Sequence, residues 1–175
     1  LSVTELINSP RIVQLRNKHW DDIEEDVSDG VWRGWGTGMH KYLEEMNESS
    51  NHITEQRLHI NVDGIDISGA IDDQEITNDG IIISDYKVTS VWAVMNDKPE
   101  WEQQLNMYAW LVERVKKIPV IKVQIYALLR DWSGREAKYK PDYPQCQVAV
   151  VEIPIVAESK VSMKLFGLLQ FQAKA

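Results

Sequence analysis

The hydrophobic pattern of the chain changes period several times, and each change marks an element. The segment from Ser2 to about Asp26 reads as one or two helices, with Ser2 or Thr4 placed to cap the first and Ser9-Pro10 to start the second. Val31-Trp32-Arg33-Gly34-Trp35-Gly36-Thr37-Gly38 reads as a Gly-rich loop feeding a helix over about Met39–Met46, and Asn47 to Asn51 as a polar break. Strand signals follow over Ile53–Val62 and Ile65–Asp72, joined by Asp63-Gly64, a pair that favours a two-residue hairpin. Asn78-Asp79-Gly80 turns the chain into a third strand, Ile81–Lys87. Helical spacing returns from about Lys98 to Lys116, with Trp101, Leu105, Tyr108, Leu111/Val112 and Val115 on one stripe. A strand from Pro119 to Leu129, a polar loop from Asp131 to Gln145, a strand over Val148–Ile155 and an amphipathic helix over about Glu158–Phe171 complete the reading.

Helices, three strands, a helix, two strands and a helix predict an α/β fold, a mixed central sheet flanked by helices rather than a regular βαβ winding. There is no internal repeat and no low-complexity tract. A length of 175 residues fits one domain with a real core. Its expected divisions are an N-terminal helical segment (1–30), a core (31–130), and a loop, strand and C-terminal helix (131–175).

Composition narrows the classes. No stretch approaches the roughly 18 apolar residues of a membrane helix, and the N-terminus lacks the basic and apolar regions of a secretory signal. It also lacks an initiator Met, so the chain reads as a processed or trimmed product. The single cysteine, Cys146, excludes an internal disulfide, a Cys-rich zinc site and a four-Cys iron–sulfur cluster. A reducing, cytoplasmic compartment is the expectation. A net charge of −8 argues against a broadly basic nucleic-acid binder but not against an enzyme whose contacts are local.

The chemistry concentrates at Asp85-Tyr86-Lys87, which closes the apolar run Gly80-Ile81-Ile82-Ile83-Ser84. Strand alternation points Asp85 and Lys87 one way and Ser84 and Tyr86 the other. Asp72, at the end of the preceding strand, shares a face with Asp66, Ser68 and Ala70, opposite Ile65, Ile67 and Ile71. If the two strands pair, Asp72 and Asp85 converge at one end. Gln104 and Tyr108 are neighbours at i and i+4 on the long helix, and His40 falls in the first turn of the expected helix over 39–46. Two carboxylates and an ammonium are what metal-dependent phosphodiester hydrolysis needs. Singly, each has an ordinary reading: a solvated Asp–Lys pair, a capping histidine, a surface glutamine, a core tyrosine. Their joint order and spacing point elsewhere. No EF-hand loop, P-loop, His-Glu-x-x-His or Gly-x-Ser-x-Gly is present, and Cys146 lacks a partner that would make it a nucleophile.

In order along the chain, Gly38-Met39-His40, Gly69-Ala70-Ile71-Asp72, Ser84-Asp85-Tyr86-Lys87 and Gln104-Leu105-Asn106-Met107-Tyr108 resemble the motifs of the PD-(D/E)xK nuclease superfamily, in particular its RecB-type exonuclease branch. The likeness covers about residues 32–112, with an αβββαβ restriction-endonuclease-like core reaching about residue 130. It implies that Asp72, Asp85 and the Tyr86 backbone carbonyl ligate one or two Mg²⁺ or Mn²⁺ ions, and that His40 completes the shell. Lys87 would position or help deprotonate the attacking water and stabilise the phosphate, while Gln104 and Tyr108 would orient the phosphate or Lys87. Glu55 matches an acidic residue that some members carry, and would bind a second ion through water; an exposed strand glutamate is the other reading. Members with an iron–sulfur cluster use four cysteines, which this chain lacks.

A stand-alone nuclease of phage or mobile-element type is implied, acting in the host cytoplasm if phage-encoded. The expected partner is DNA, at linear or single-stranded ends, together with a homo-oligomer or a recombination partner protein; a membrane is not expected. Trp32, Trp35 and Trp92 are candidates for base stacking, and Arg33, Arg130, Arg135, Lys138 and Lys140 for backbone contacts, with core packing and a solvated loop as the ordinary alternatives. Three functions stay open: a DNA exonuclease, a structure- or sequence-specific endonuclease, and a non-catalytic nucleic-acid-binding or scaffolding module.

Overall fold

Among the described residues, five strands form one sheet in the order β1-β2-β3-β4-β5: His52–Val62, Ile65–Ile76, Ile81–Thr89, Val120–Leu129 and Val148–Ile153. The computed structural model describes residues 1–24, 26–46, 51–96, 98–157 and 161, and in the helices the side chains of all but residues 10, 29, 32, 44 and 46. Only β3 and β4 run parallel; every other neighbouring pair is antiparallel. The parallel step needs a crossover, which Val91–Met95 (α4) and Pro99–Lys116 (α5) supply. Val3–Ile7 (α1), Pro10–Lys18 (α2) and Val27–Met46 (α3) precede the sheet.

The β1–β2 hairpin forms as its turn residues dictate. Asp63 and Gly64 adopt φ of 50° and 85° between the pair Val62 and Ile65, the left-handed geometry of a two-residue turn. The core lies between the sheet and α5, where Ile67, Ile71, Ile83, Leu105, Leu111, Val112 and Ile125 are fully buried. Of the stripe expected on α5, Val115 alone is exposed.

Gly69 on β2 explains how closely α5 approaches. A Cβ there would lie 3.0 Å from both Leu111 Cδ2 and Tyr108 Cε1. Gly69→Val is therefore expected to lower stability by about 2 kcal/mol through overpacking and to displace Tyr108. Urea denaturation measures the first effect, with Gly69→Ala falling between wild type and valine.

Several expectations need correction. The stretch 31–38 is not a loop but part of α3, a helix of 20 residues. Asp26 caps it, its Oδ1 accepting the Ser28 N–H at 2.8 Å. A Cβ at Gly30, Gly34, Gly36 or Gly38 would meet nothing within 4 Å, so no close approach requires these glycines. Their helical cost, about 1 kcal/mol each, is outweighed by the rest of the helix. β2 runs on to Ile76 instead of stopping at Asp72 because Asp73, Gln74 and Glu75 keep pairing with both neighbours. The loop 131–145 contains a short helix, Gly134–Tyr139 (α6), capped by Ser133 Oγ accepting from Glu136 N. β5 ends at Ile153 rather than Ile155. The helix expected over 158–171 lies outside the described residues except for Val161, which is buried; the stacking expectation for the Trp32 side chain also lies outside them.

Candidate active site

The expected site assembles where β2 and β3 part. Their backbone pairing stops at Asp73 with Ser84. One step further, Asp72 Oδ2 accepts the Tyr86 N–H at 2.8 Å, so a carboxylate replaces the missing ladder partner. On β1 the pairing skips Glu55, which sits at φ 49° between the pairs Thr54–Asp73 and Gln56–Ile71. That left-handed backbone costs a glutamate about 1–2 kcal/mol. In return, Glu55 and Asp72 are both aimed at α3.

Side-chain alternation along β2 reverses at the same point. Gln56 pairs with Ile71, yet Gln74 Nε2 donates to Gln56 Oε1 at 3.1 Å, which strict alternation from Ile71 would forbid. Asp72 stands at this reversal. The simple assignment of Asp72 to the face of Asp66, Ser68 and Ala70 does not describe it.

His40 lies in the second half of α3, not the first turn of a helix. Its Nε2 is 2.9 Å from the Tyr86 carbonyl oxygen, and a carbonyl only accepts, so Nε2 carries the proton. In the neutral ring Nδ1 then presents its lone pair to Asp72 Oδ2 and Glu55 Oε1, each 3.5 Å away. One ligand atom each from His40, Glu55 and Asp72 falls within a 4.8 Å span. Three lone pairs facing one another repel unless a proton or a cation lies among them.

Asp85 is buried. Its Oδ2 lies 2.7 Å from Lys87 Nζ but has no well-aligned hydrogen bond, and its Oδ1 receives only a 3.5 Å contact from Gln104 Nε2. Gln104 Nε2 also donates to the Tyr108 hydroxyl oxygen at 3.0 Å, which leaves the Tyr108 O–H to donate. Asp85, Lys87, Gln104 and Tyr108 thus form one contact chain from β3 to α5.

These groups shift one another's protonation. Burial, and then the neighbouring Asp85 charge, push the Asp72 carboxyl up to about 7, against the opposing pull of the Tyr86 N–H, His40 and Lys87. Burial works against the Lys87 ammonium, but Asp85 and Asp72 outweigh it and hold its pKa above the usual lysine value. Burial, reinforced by Asp85, raises the Tyr108 hydroxyl, which therefore stays a donor. Lys87 is a fixed positive charge here, and Asp72 is the group whose charge is costly.

A divalent ion fits this donor set. The donors are carboxylate oxygens, a carbonyl oxygen and one imidazole, which suit a hard ion and, through the imidazole, favour Mn²⁺ over Mg²⁺. Neighbouring ligands on an octahedral ion at about 2.1 Å stand roughly 3 Å apart, near the 3.5 Å that separates His40 Nδ1 from Asp72 Oδ2 and from Glu55 Oε1.

The candidate nucleic-acid contacts scatter. Trp35 and Arg130 line one cavity of about 250 Å³ with Met39 and Val88. Arg33 lines a different one with Arg16, Trp20 and Ile23. Trp92 is exposed on α4 with Lys98 Nζ 4.8 Å from its ring centre. The sequence reading missed His52, whose Nδ1 meets Asp73 Oδ1 at 2.8 Å. Its only signal was a histidine opening β1, which nothing linked to Asp73.

Residues 5–152 match the sequence model of the PD-(D/E)XK nuclease superfamily, and the chain belongs to that superfamily. Membership implies a nucleic-acid substrate. Among solved structures, the fold resembles SSO0001 at 21% identity and TM-score 0.65, covering 98% of this chain and 76% of that one. It also resembles an alkaline exonuclease from Laribacter hongkongensis at 9% identity and TM-score 0.53, covering 99% and 88%. At these identities the likeness is one of fold. A comparison with curated protein sequences gives no match. No helix among the described residues is long and apolar enough to cross a membrane.

Proposed function

We propose that the protein is a divalent-metal-dependent deoxyribonuclease of the RecB-type branch, hydrolysing DNA from its ends. The observation that carries this is the convergence of Asp72, Asp85 and Lys87 with His40 and Glu55 where β2 and β3 part. His40, placed by α3 against the Tyr86 carbonyl, supports the branch. Likeness of fold to an alkaline exonuclease supports the choice of ends.

In this reading Asp72, Asp85, His40, Glu55 and the Tyr86 carbonyl would hold Mn²⁺ or Mg²⁺. The bound ion would neutralise non-bridging phosphate oxygens and lower the pKa of a water. The chain's own groups do the rest. Lys87 keeps its proton and places a positive charge beside Asp85, where negative charge builds as the phosphate is attacked. Tyr108, a donor locked by Gln104, orients a phosphate oxygen. Trp35 and Arg130 contact the strand beside the site.

The Asp72 carboxyl makes the metal-free protein sensitive to pH. Below about pH 4 both folded and unfolded chains hold this proton. From there to about 7 only the folded chain keeps it, so metal-free stability falls as pH rises through this window and the full penalty persists above it. Asp72 would give up this proton to hold an ion. The rise in Tm on adding Mn²⁺ is therefore expected to be small at about pH 5 and largest at about pH 8, levelling off beyond. Melts across that range, with and without Mn²⁺, check it; a rise independent of pH would contradict the assignment of Asp72 as a ligand.

Digestion of end-labelled linear DNA beside closed circular DNA, with Mg²⁺, Mn²⁺ or EDTA, tests the function. Metal-dependent loss of the linear form alone is expected. Cleavage of the circle would establish an endonuclease, and no cleavage of either would favour a binding module.

A further inference from the structure

The strands that carry Asp72, Asp85 and Lys87 also line a second cavity, under the helix that supplies His40. Ser84 and Tyr86 flank Asp85, which faces Gln104 of α5, and Asp73 pairs with Ser84, so strand geometry sends this second set away from α5. There it lines a cavity of about 300 Å³ beneath α3. Asp73, Ser84 and Gln124 are buried polar groups, each less than a tenth exposed. Gln124 Nε2 donates to Ser84 Oγ at 3.1 Å and to Tyr126 Oη at 3.2 Å, which commits its nitrogen and leaves its carbonyl oxygen to offer. The Tyr86 and Tyr126 rings form an aromatic wall, with centroids 5.8 Å apart. Asp73 and Glu75 add carboxylate acceptors, and His52 holds Asp73 in place.

Chemistry limits the occupant. Among the described residues, the lining carries two acids and neither lysine nor arginine, so a phosphate is repelled. The lining offers acceptors in Asp73, Glu75 and the Gln124 carbonyl oxygen, and donors in the Ser84 and Tyr126 hydroxyls, which accept from Gln124 and keep a hydrogen to give, all beside an aromatic wall. The size is at the small end of ligand pockets, suited to one base and too small for a base pair. We propose that this cavity receives a single unpaired nucleobase bearing an exocyclic amine (cytosine, adenine or guanine) in preference to thymine. The choice of a base over other flat amines rests on the nuclease reading.

Tyr86 would report occupancy to the metal centre. Its ring walls the cavity, its N–H holds Asp72, its carbonyl meets His40, and its ring packs edge-on against the His40 imidazole at 6.1 Å between centroids. A base seated against Tyr86 therefore braces two of the proposed ligands.

The base could belong to the DNA strand being cut or to a free nucleoside. Calorimetric titration in EDTA, where no cleavage occurs, separates binding from catalysis. The probes are deoxycytidine, deoxyadenosine, deoxyguanosine and thymidine, and single-stranded oligonucleotides of cytosine, of thymine, and of cytosine with abasic positions. Wild type is expected to bind the amine-bearing probes about tenfold more tightly than the thymine ones, and Gln124→Leu to remove that preference. Tyr126→Phe, which keeps the ring and loses one hydrogen bond, is expected to weaken binding several-fold and serves if the leucine variant does not fold. Strands that bind much better than nucleosides and lose affinity when abasic would assign the base to the substrate. Equal affinity would assign the site to a free nucleoside. Equal binding of thymine and cytosine probes, no binding by any probe, or no effect of either variant overturns the proposal. An active wild-type nuclease with any of those results leaves the functional reading standing.

Discussion

Lys87→Ala is expected to cut phosphodiester turnover by about a thousandfold or more while leaving Mn²⁺ binding undiminished. Lys87 Nζ stands 2.7 Å from Asp85 Oδ2, and the two acids around it hold its proton in place. A lysine so held cannot take a proton from water at neutral pH. Its contribution is charge, and charge matters most when the phosphate becomes most negative. Removing that charge also removes a repulsion toward the ion, so metal affinity should stay the same or rise. Measured side by side, single-turnover cleavage and Mn²⁺ titration separate the two effects. A variant that loses rate and metal together would show that Lys87 instead shapes the site.

Asp72→Asn is expected to abolish metal-dependent cleavage and at the same time to stabilise the metal-free protein. The asparagine oxygen can still accept the Tyr86 N–H, so the strand junction is preserved. What disappears is a buried negative charge beside Asp85. At about pH 8 that charge costs on the order of 2–4 kcal/mol in the absence of an ion, and the variant should melt higher by a corresponding amount. The rise in Tm caused by Mn²⁺ should vanish with it. A residue serving only to brace the strands would show the opposite pattern, with lower stability and an unchanged response to metal.

These effects come from a site that was partly legible in the sequence. Asp85 and Lys87 sit on a strand of strong apolar signal, and alternation alone puts them on one face. Gln104 and Tyr108 follow from helical spacing. Glu55 is different, because its role depends on a left-handed backbone that glutamate does not favour and no local pattern announces. Asp73-Gln74-Glu75 read as the end of a strand because buried polar residues look like solvated ones until their partners are known; His52, Gln56 and Ser84 lie on other strands. The glycines of 31–38 misled for a related reason. Glycine signals a loop through its intrinsic preferences, and here the surrounding helix overrides them. The β1–β2 hairpin was legible in Asp63-Gly64, and the mixed sheet flanked by helices in the order of strand and helix signals, while the strand order itself was not read.

The most direct test of the metal centre is hydrolysis of linear DNA by wild type and by Asp85→Asn, with folding matched by circular dichroism and with Mn²⁺ as the only divalent ion. The account predicts rapid cleavage by wild type that EDTA stops, and cleavage at the no-enzyme level by the variant. Cleavage by Asp85→Asn at a rate near wild type would contradict it.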